Sequence, residues 1–204
     1  MKTKIYEGKN ESEALEKALK ELKLTESEVL YKAEEVKGKL FKTSTTRISI
    51  IAISEVEEFI KEYLKQLLTD MGIEATFESR IREKQIYIKM YSNNNPILIG
   101  KNGQTLEALQ NIVKNVVSNN VGIYPVVMLD VENYKEKQEK RIERLAKDTA
   151  REVLRTKVEA RLENMNSYER RIVHNILTDF KGIYTTSEGE EPNRYVVIKI
   201  KEDK

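Results

Sequence analysis

Cysteine is absent from the 204 residues and histidine occurs once, at His174. Without cysteine there is no disulfide and no thiolate metal site, and a lone histidine makes no ligand cluster; an intracellular, reducing setting fits both absences. No stretch approaches the roughly 18 apolar residues of a membrane span, and the N-terminus has no signal-peptide core. The expectation is a soluble, cytoplasmic chain whose membrane role, if any, goes through a partner. Excess charge of one sign is missing too, since 36 Lys and Arg face 34 Asp and Glu for a net +2. Such a balance gives no global basic field, so an anion site has to be local. Hydrolytic chemistry needs carboxylates or histidines that converge to hold a metal or move protons, and here the acidic residues scatter along helices. No catalytic residue, cofactor or metal site is expected.

What is present is a dense run of periodic segments, enough for one large domain or two to three small ones. Residues 4–7 read as a strand, and Asn10 or Ser12 can cap a helix with the stripe Ala14, Leu15, Ala18, Leu19 and Leu22. Residues 29–36 and 47–53, rich in β-branched and aromatic side chains, read as two more strands. This β-α-β-β unit is small for an independent core, so docking or dimerisation is expected of it. A helix follows with Val56, Phe59, Ile60, Tyr63, Leu64, Leu67, Leu68 and Met71 in its stripe and Gly72 at its C-terminal end. Alternation at Ile73, Ala75 and Phe77, and again at Ile86, Ile88 and Met90, predicts a β-hairpin. Its other face carries Tyr87, Lys89 and Tyr91, either a solvated face or a stacking surface for bases.

The segment Ile97-Leu98-Ile99-Gly100-Lys101-Asn102-Gly103-Gln104-Thr105-Leu106 then runs from an apolar half-turn through two glycines into a helix striped with Leu106, Leu109, Ile112, Val113, Val116 and Val117. Glycine at 100 and 103 allows positive φ and removes side chains that would hold a ligand off the backbone. The helix opening at the loop points unpaired N–H groups and a positive dipole end at it, and Lys101 adds a mobile cation, a combination suited to phosphate. Asn102-Gly103 as a plain turn is the alternative. A strand over 125–131 follows. No strand runs directly into the loop, so a dinucleotide-binding fold is excluded.

From Tyr134 a long charged helix is predicted, with Ile142, Leu145, Ala146, Thr149, Ala150 and Val153 along one side. Roughly opposite lie Lys137, Lys140, Arg141, Arg144, Lys147, Arg151 and Arg155, of which Arg144, Arg151 and Arg155 are candidates for backbone contacts with nucleic acid. Glutamates one turn earlier account for part of this charge as surface pairing. A strand is expected over 158–162. Asn166 and Glu169 are spaced as a capping box for a helix that buries Ile172, Val173, Ile176, Leu177 and Phe180 and places Arg170, Arg171, His174 and Thr178 opposite. Arg170 and His174, one turn apart, are then two donors able to grip neighbouring phosphates. Strands over 182–186 and 195–200 close the chain.

The α-β-β-α-α-β order over 55–133, with Ile99-Gly100-Lys101-Asn102-Gly103 between its helices, resembles a type II KH domain. Such domains clamp the backbone of about four nucleotides. The α-β-α-β-β order over 134–204, with Arg170 and His174, resembles the R-3-H domain. A β-α-β-β unit over 1–54, a KH domain and an R-3-H domain in this order make three small domains of the α+β class, and the whole resembles the bacterial Jag family, also called KhpB or EloR. The resemblance implies a single-stranded RNA-binding protein, an RNA chaperone acting in cell elongation and envelope homeostasis. It further implies a small KH partner protein and association with a YidC-type insertase. The residues implied at the interface are Ile99, Gly100, Lys101, Asn102, Gly103, Arg170, Arg171 and His174; single-stranded DNA as the ligand, a protein-interaction adaptor and a homodimer remain open. The sequence departs from the family at Lys37-Gly38-Lys39-Leu40-Phe41-Lys42, which lacks the later glycines of the usual N-terminal loop.

Overall fold

The structure, a computed structural model, describes residues 1–36 and 44–201. The stretch 37–42, where the sequence departs from the family it resembles, lies outside the described residues. The fold is α+β, and the chain divides into two compact units, Met1–Glu132 and Asn133–Lys204.

The N-terminal unit contains two sheets. β1 (Lys4–Gly8) leads to α1 (Glu11–Leu22), capped by Asn10, whose side chain accepts from Glu13 N at 2.9 Å. β2 (Val29–Val36) and β3 (Thr45–Ala52) complete an antiparallel sheet of order β1-β3-β2. Its core is Ala14, Ala18, Val29, Ile48 and Ile50, with Leu15, Leu19, Leu22 and Tyr31 among the partly buried side chains packed on them.

β3 runs without a loop into α2 (Ile53–Asp70), which buries Val56, Ile60, Leu64 and Leu68 and ends with Gly72 at φ 73°. The hairpin β4 (Ala75–Arg82) and β5 (Gln85–Ser92) follows. Its turn lies against the first sheet: Lys84 Nζ is 3.6 Å from a Glu26 carboxylate oxygen and 5.7 Å from the centre of the Tyr31 ring. Ser92 N and Oγ both donate to Asn95 Oδ1, and this polar turn starts the five-residue helix α3 (Asn95–Ile99) with proline in its first turn. α4 (Gln104–Val121) returns the chain to β6 (Val126–Val131), which pairs parallel with β5 because two helices intervene. The sheet order is β4-β5-β6. Ile86, Ile88, Met90, Val127, Leu129 and Val131 face the helices. α4 buries Leu106, Leu109, Val113, Val117 and Val121, whereas Ile112, expected in that stripe, is 42% exposed. The buried positions advance by three or four residues at a time, and Ile112 falls beyond the edge of that arc.

The C-terminal unit begins with α5 (Tyr134–Thr156), whose Ile142, Ala146, Ala150 and Val153 form its core with Leu162, Val173, Leu177, Ile183, Val196 and Ile198. Leu145, also expected in the stripe, is exposed. The strand expected at 158–162 sits two residues later, as β7 (Ala160–Asn164). Lys157 adopts φ 62° to cap α5, and Val158 is consumed in the exit from the helix. α6 (Ser167–Leu177), β8 (Ile183–Glu188) and β9 (Tyr195–Ile200) follow, in a sheet of order β7-β9-β8. The capping box is present: Asn166 Oδ1 accepts from Glu169 N at 2.9 Å and Glu169 Oε2 from Asn166 N at 3.0 Å. Among the described residues no helix is long and apolar enough to cross a membrane, and no group of acidic or imidazole side chains is placed to hold a metal ion.

Candidate nucleic-acid interface

Between α3 and α4 the backbone turns through three residues of positive φ: Gly100 at 70°, Asn102 at 51° and Gly103 at 80°. Asparagine is among the few side chains that tolerate this region, so the sequence Gly-Lys-Asn-Gly supplies a suitable residue at each position. Gly100 has a second reason to lack a side chain. A Cβ there would stand 2.1 Å from Thr105 Oγ1 and 2.9 Å from Thr105 N, so loop and first turn of α4 are in direct contact. The loop closes through Gly100 N to Pro96 O at 2.9 Å and Gly103 N to Gly100 O at 3.4 Å.

Gly103 is the N-cap of α4 and offers no side-chain acceptor; the Gln104 amide turns back to Lys101 O, and no side chain caps the amides that follow. Lys101 and Asn102 are exposed, and among the described residues no hydrogen bond or ion pair engages either side chain. On either side of the loop in sequence, Ile99 is half-buried and Leu98, Leu106 and Leu109 are buried. The result is a fixed backbone turn with a free cation and a side-chain amide exposed on it, able to accept a phosphate and the sugar that carries it.

The second predicted pair is built differently. His174 bridges α6 to β8, with Nδ1 2.6 Å from Thr185 Oγ1 and Nε2 2.7 Å from Ser187 Oγ. Its pKa is lowered, by burial first and by the Arg170 charge second, so the ring is held neutral at pH 7. Arg170 does not lie on the polar face. Only 8% of its side chain is exposed, and it shares the inner side of α6 with Val173 and Leu177. The physical reason is an acidic partner: Arg170 Nη2 donates to Glu191 Oε1 at 2.5 Å, so the guanidinium is buried paired. Glu169 is buried beside it, satisfied by the capping box and by Gln138 Nε2 of α5 at 2.9 Å. Glu191 and Gln138 were not legible as site residues; Glu191 comes from the β8–β9 loop and Gln138 from a helix 31 positions away from Glu169. Arg171 is exposed as expected.

On α5 much of the basic stripe is paired locally: Lys140 with Glu136, Lys147 with Glu143, Arg151 with Asp148 and Arg155 with Glu152. Arg144 lies among them without an ion pair within the described residues. On the outer face of the β4-β5-β6 sheet, Arg80 stands 5.3 Å from the Tyr87 ring centre and Lys89 5.4 Å from that of Tyr91, so these rings already have cationic neighbours.

An open two-glycine loop in one α+β module and an Arg-His pair one helical turn apart in another define a protein that joins a KH domain to an R-3-H domain. A family model for the KH domain of KhpA and KhpB matches residues 57–128, and one for the R-3-H domain matches 140–199. The chain is 38% identical over 201 residues to the RNA-binding protein KhpB of Clostridium symbiosum, covering 96% of this chain and 90% of that one. It is 30% identical over 200 residues to the protein of the same name in Bacillus subtilis, covering 95% and 96%. The KhpB of Streptococcus pneumoniae matches at 30% over 146 residues, 72% of this chain but 44% of that longer relative. The chain belongs to the KhpB/Jag family.

Proposed function

We propose that this protein binds single-stranded RNA without a catalytic step, through a clamp formed by Ile99, Gly100, Lys101, Asn102 and Gly103 and a second contact at Arg170, Arg171 and His174. The observation that carries the reading is the Gly100–Gly103 cradle, whose positive-φ backbone leaves Lys101 and Asn102 exposed and unengaged at the open end of α4. The relatives' printed name, RNA-binding protein, supports RNA over single-stranded DNA. Phosphate contacts of this kind give affinity with little sequence choice. Arg144, and more weakly the paired Arg151 and Arg155, extend the basic surface. The division into segments 1–54, 55–133 and 134–204 is part of this reading and is supported by one three-stranded sheet in each.

A KH-domain protein as partner is supported by the family model that covers KhpA and KhpB together. The chaperone role in cell elongation and envelope homeostasis, the YidC-type insertase, recruitment to the membrane from the cytoplasm and a homodimer rest on the family resemblance alone. The test is fluorescence anisotropy with a short unstructured RNA and the double variant Lys101→Asp, Asn102→Asp. Both positions are exposed, so the variant keeps its circular dichroism and melting temperature while losing affinity at least tenfold, a factor worth about 1.4 kcal/mol. Retained affinity in the folded variant overturns the clamp.

A further inference from the structure

Arg170 and His174 differ in what stands between them and a ligand. The partners of His174 are two hydroxyls, Thr185 Oγ1 and Ser187 Oγ, which rotate and serve equally as donors or acceptors. The partner of Arg170 is a carboxylate, and a carboxylate oxygen on a guanidinium takes the place that a phosphate oxygen takes. The two ends of that ion pair are unequally placed: Arg170 has 8% of its side chain exposed, whereas Glu191 has 57% exposed and belongs to the loop between β8 and β9. Swinging Glu191 into water on its own would leave the buried guanidinium unpaired, so the carboxylate leaves only in exchange for another anion, which a phosphate oxygen can be. Besides the carboxylate, the Arg170 side chain has Nε donating to Asn166 O at 3.5 Å, so one contact to its own helix does not involve Glu191.

We propose that Glu191 guards the R-3-H site: it occupies the Arg170 guanidinium in the free protein and has to be displaced by a nucleic-acid phosphate. The proposal rests on the RNA-binding reading above. It makes the C-terminal unit a guarded site, in which bound phosphate and bound Glu191 exclude each other. Arg170 contacts phosphate in both the native protein and a variant without the carboxylate, so the number of counterions released from the nucleic acid is the same for the two.

The experiment is a salt series with the full chain and a short unstructured RNA, comparing the native protein with Glu191→Gln, Glu190→Gln, Arg170→Ala and the double variant Arg170→Ala, Glu191→Gln. Glu190 is the neighbouring carboxylate in the same loop, and its removal changes the net charge by the same amount. The expected result is a rise in affinity of about three- to tenfold for Glu191→Gln, with the slope of log K against log salt unchanged. Glu190→Gln is expected to change affinity less than twofold by the same long-range screening. The double variant is expected to bind no better than Arg170→Ala alone. Equal gains from Glu190→Gln and Glu191→Gln overturn the proposal, because the effect is then net charge. So does a loss of affinity in a folded Glu191→Gln protein, which makes Glu191 a support for Arg170 and not its rival. Failure of the underlying reading looks different: the native chain does not bind RNA, or Arg170→Ala binds with native affinity and slope.

Discussion

The two candidate contacts solve one problem, recognition of a phosphate, by opposite means. At Gly100–Gly103 the backbone is committed and the side chains are uncommitted: three positive-φ residues fix the loop while Lys101 and Asn102 have no partner among the described residues. At Arg170 and His174 the side chains are committed, one to Glu191 and the other to Thr185 and Ser187. The first arrangement is preorganised, so little ordering accompanies binding. The second has to exchange internal hydrogen bonds for external ones, and its contribution is the difference between the two sets. A motif read as a pair of free donors is thus a pair of satisfied ones.

The largest break in this comparison is expected from Gly100→Ala. Alanine there has φ 70° and a Cβ 2.1 Å from Thr105 Oγ1, so the loop or the start of α4 has to move. A destabilisation of about 2 kcal/mol or more, read by denaturant titration, and loss of RNA affinity are expected. Gly72→Ala isolates the backbone part of that effect. Its φ is 73° but nothing lies within 4 Å of the added Cβ. About 1 kcal/mol with RNA binding retained is expected, and equal effects at the two glycines would remove the close approach of Thr105 from the account.

A smaller effect separates the sites by pH. The folded His174 has a pKa below its ordinary value of about 6.5. As pH falls through that ordinary value the unfolded chain takes up a proton that the folded chain refuses, so the unfolded state binds more protons and stability falls with pH. The stability contributed by neutral His174 is present above about pH 6.5 and is lost in the window between that value and the lowered one. His174→Gln keeps polar atoms near Thr185 and Ser187 and does not titrate, so its denaturation midpoint should drop less than the native one between about pH 7.5 and pH 5. An identical drop in both proteins would mean that the ring is not buried as described.

Most elements were legible because their signals are local. Asn10, the Asn166-Glu169 box, the period-two pattern around Ile86, Ile88 and Met90 and the three- and four-residue spacing in α2 each act within a few residues. The glycine loop was legible for the same reason, although Asn102 joins the glycines at positive φ and Thr105 sets the limit at Gly100. What the sequence hid is long-range. Arg170 was assigned to the polar face by its charge, and its burial depends on Glu191, 21 residues away in another loop. Ile112 and Leu145 were assigned to the core by their chemistry and are exposed; Ile112 falls beyond the edge of the arc that α4 buries. His174 read as a donor on an open face; its partners are β8 hydroxyls that no spacing rule connects to it, and burial and then the Arg170 charge lower its pKa.

The most direct test is amide hydrogen exchange of the full chain with and without a saturating, unstructured RNA, since exchange reports local opening residue by residue. The account predicts slowed exchange over 99–106 and over the first half of α6, 167–174, with the outer face of the β4-β5-β6 sheet unchanged. Slowed exchange confined to the strands that carry Tyr87 and Tyr91, with the Gly100–Gly103 loop unaltered, would contradict it.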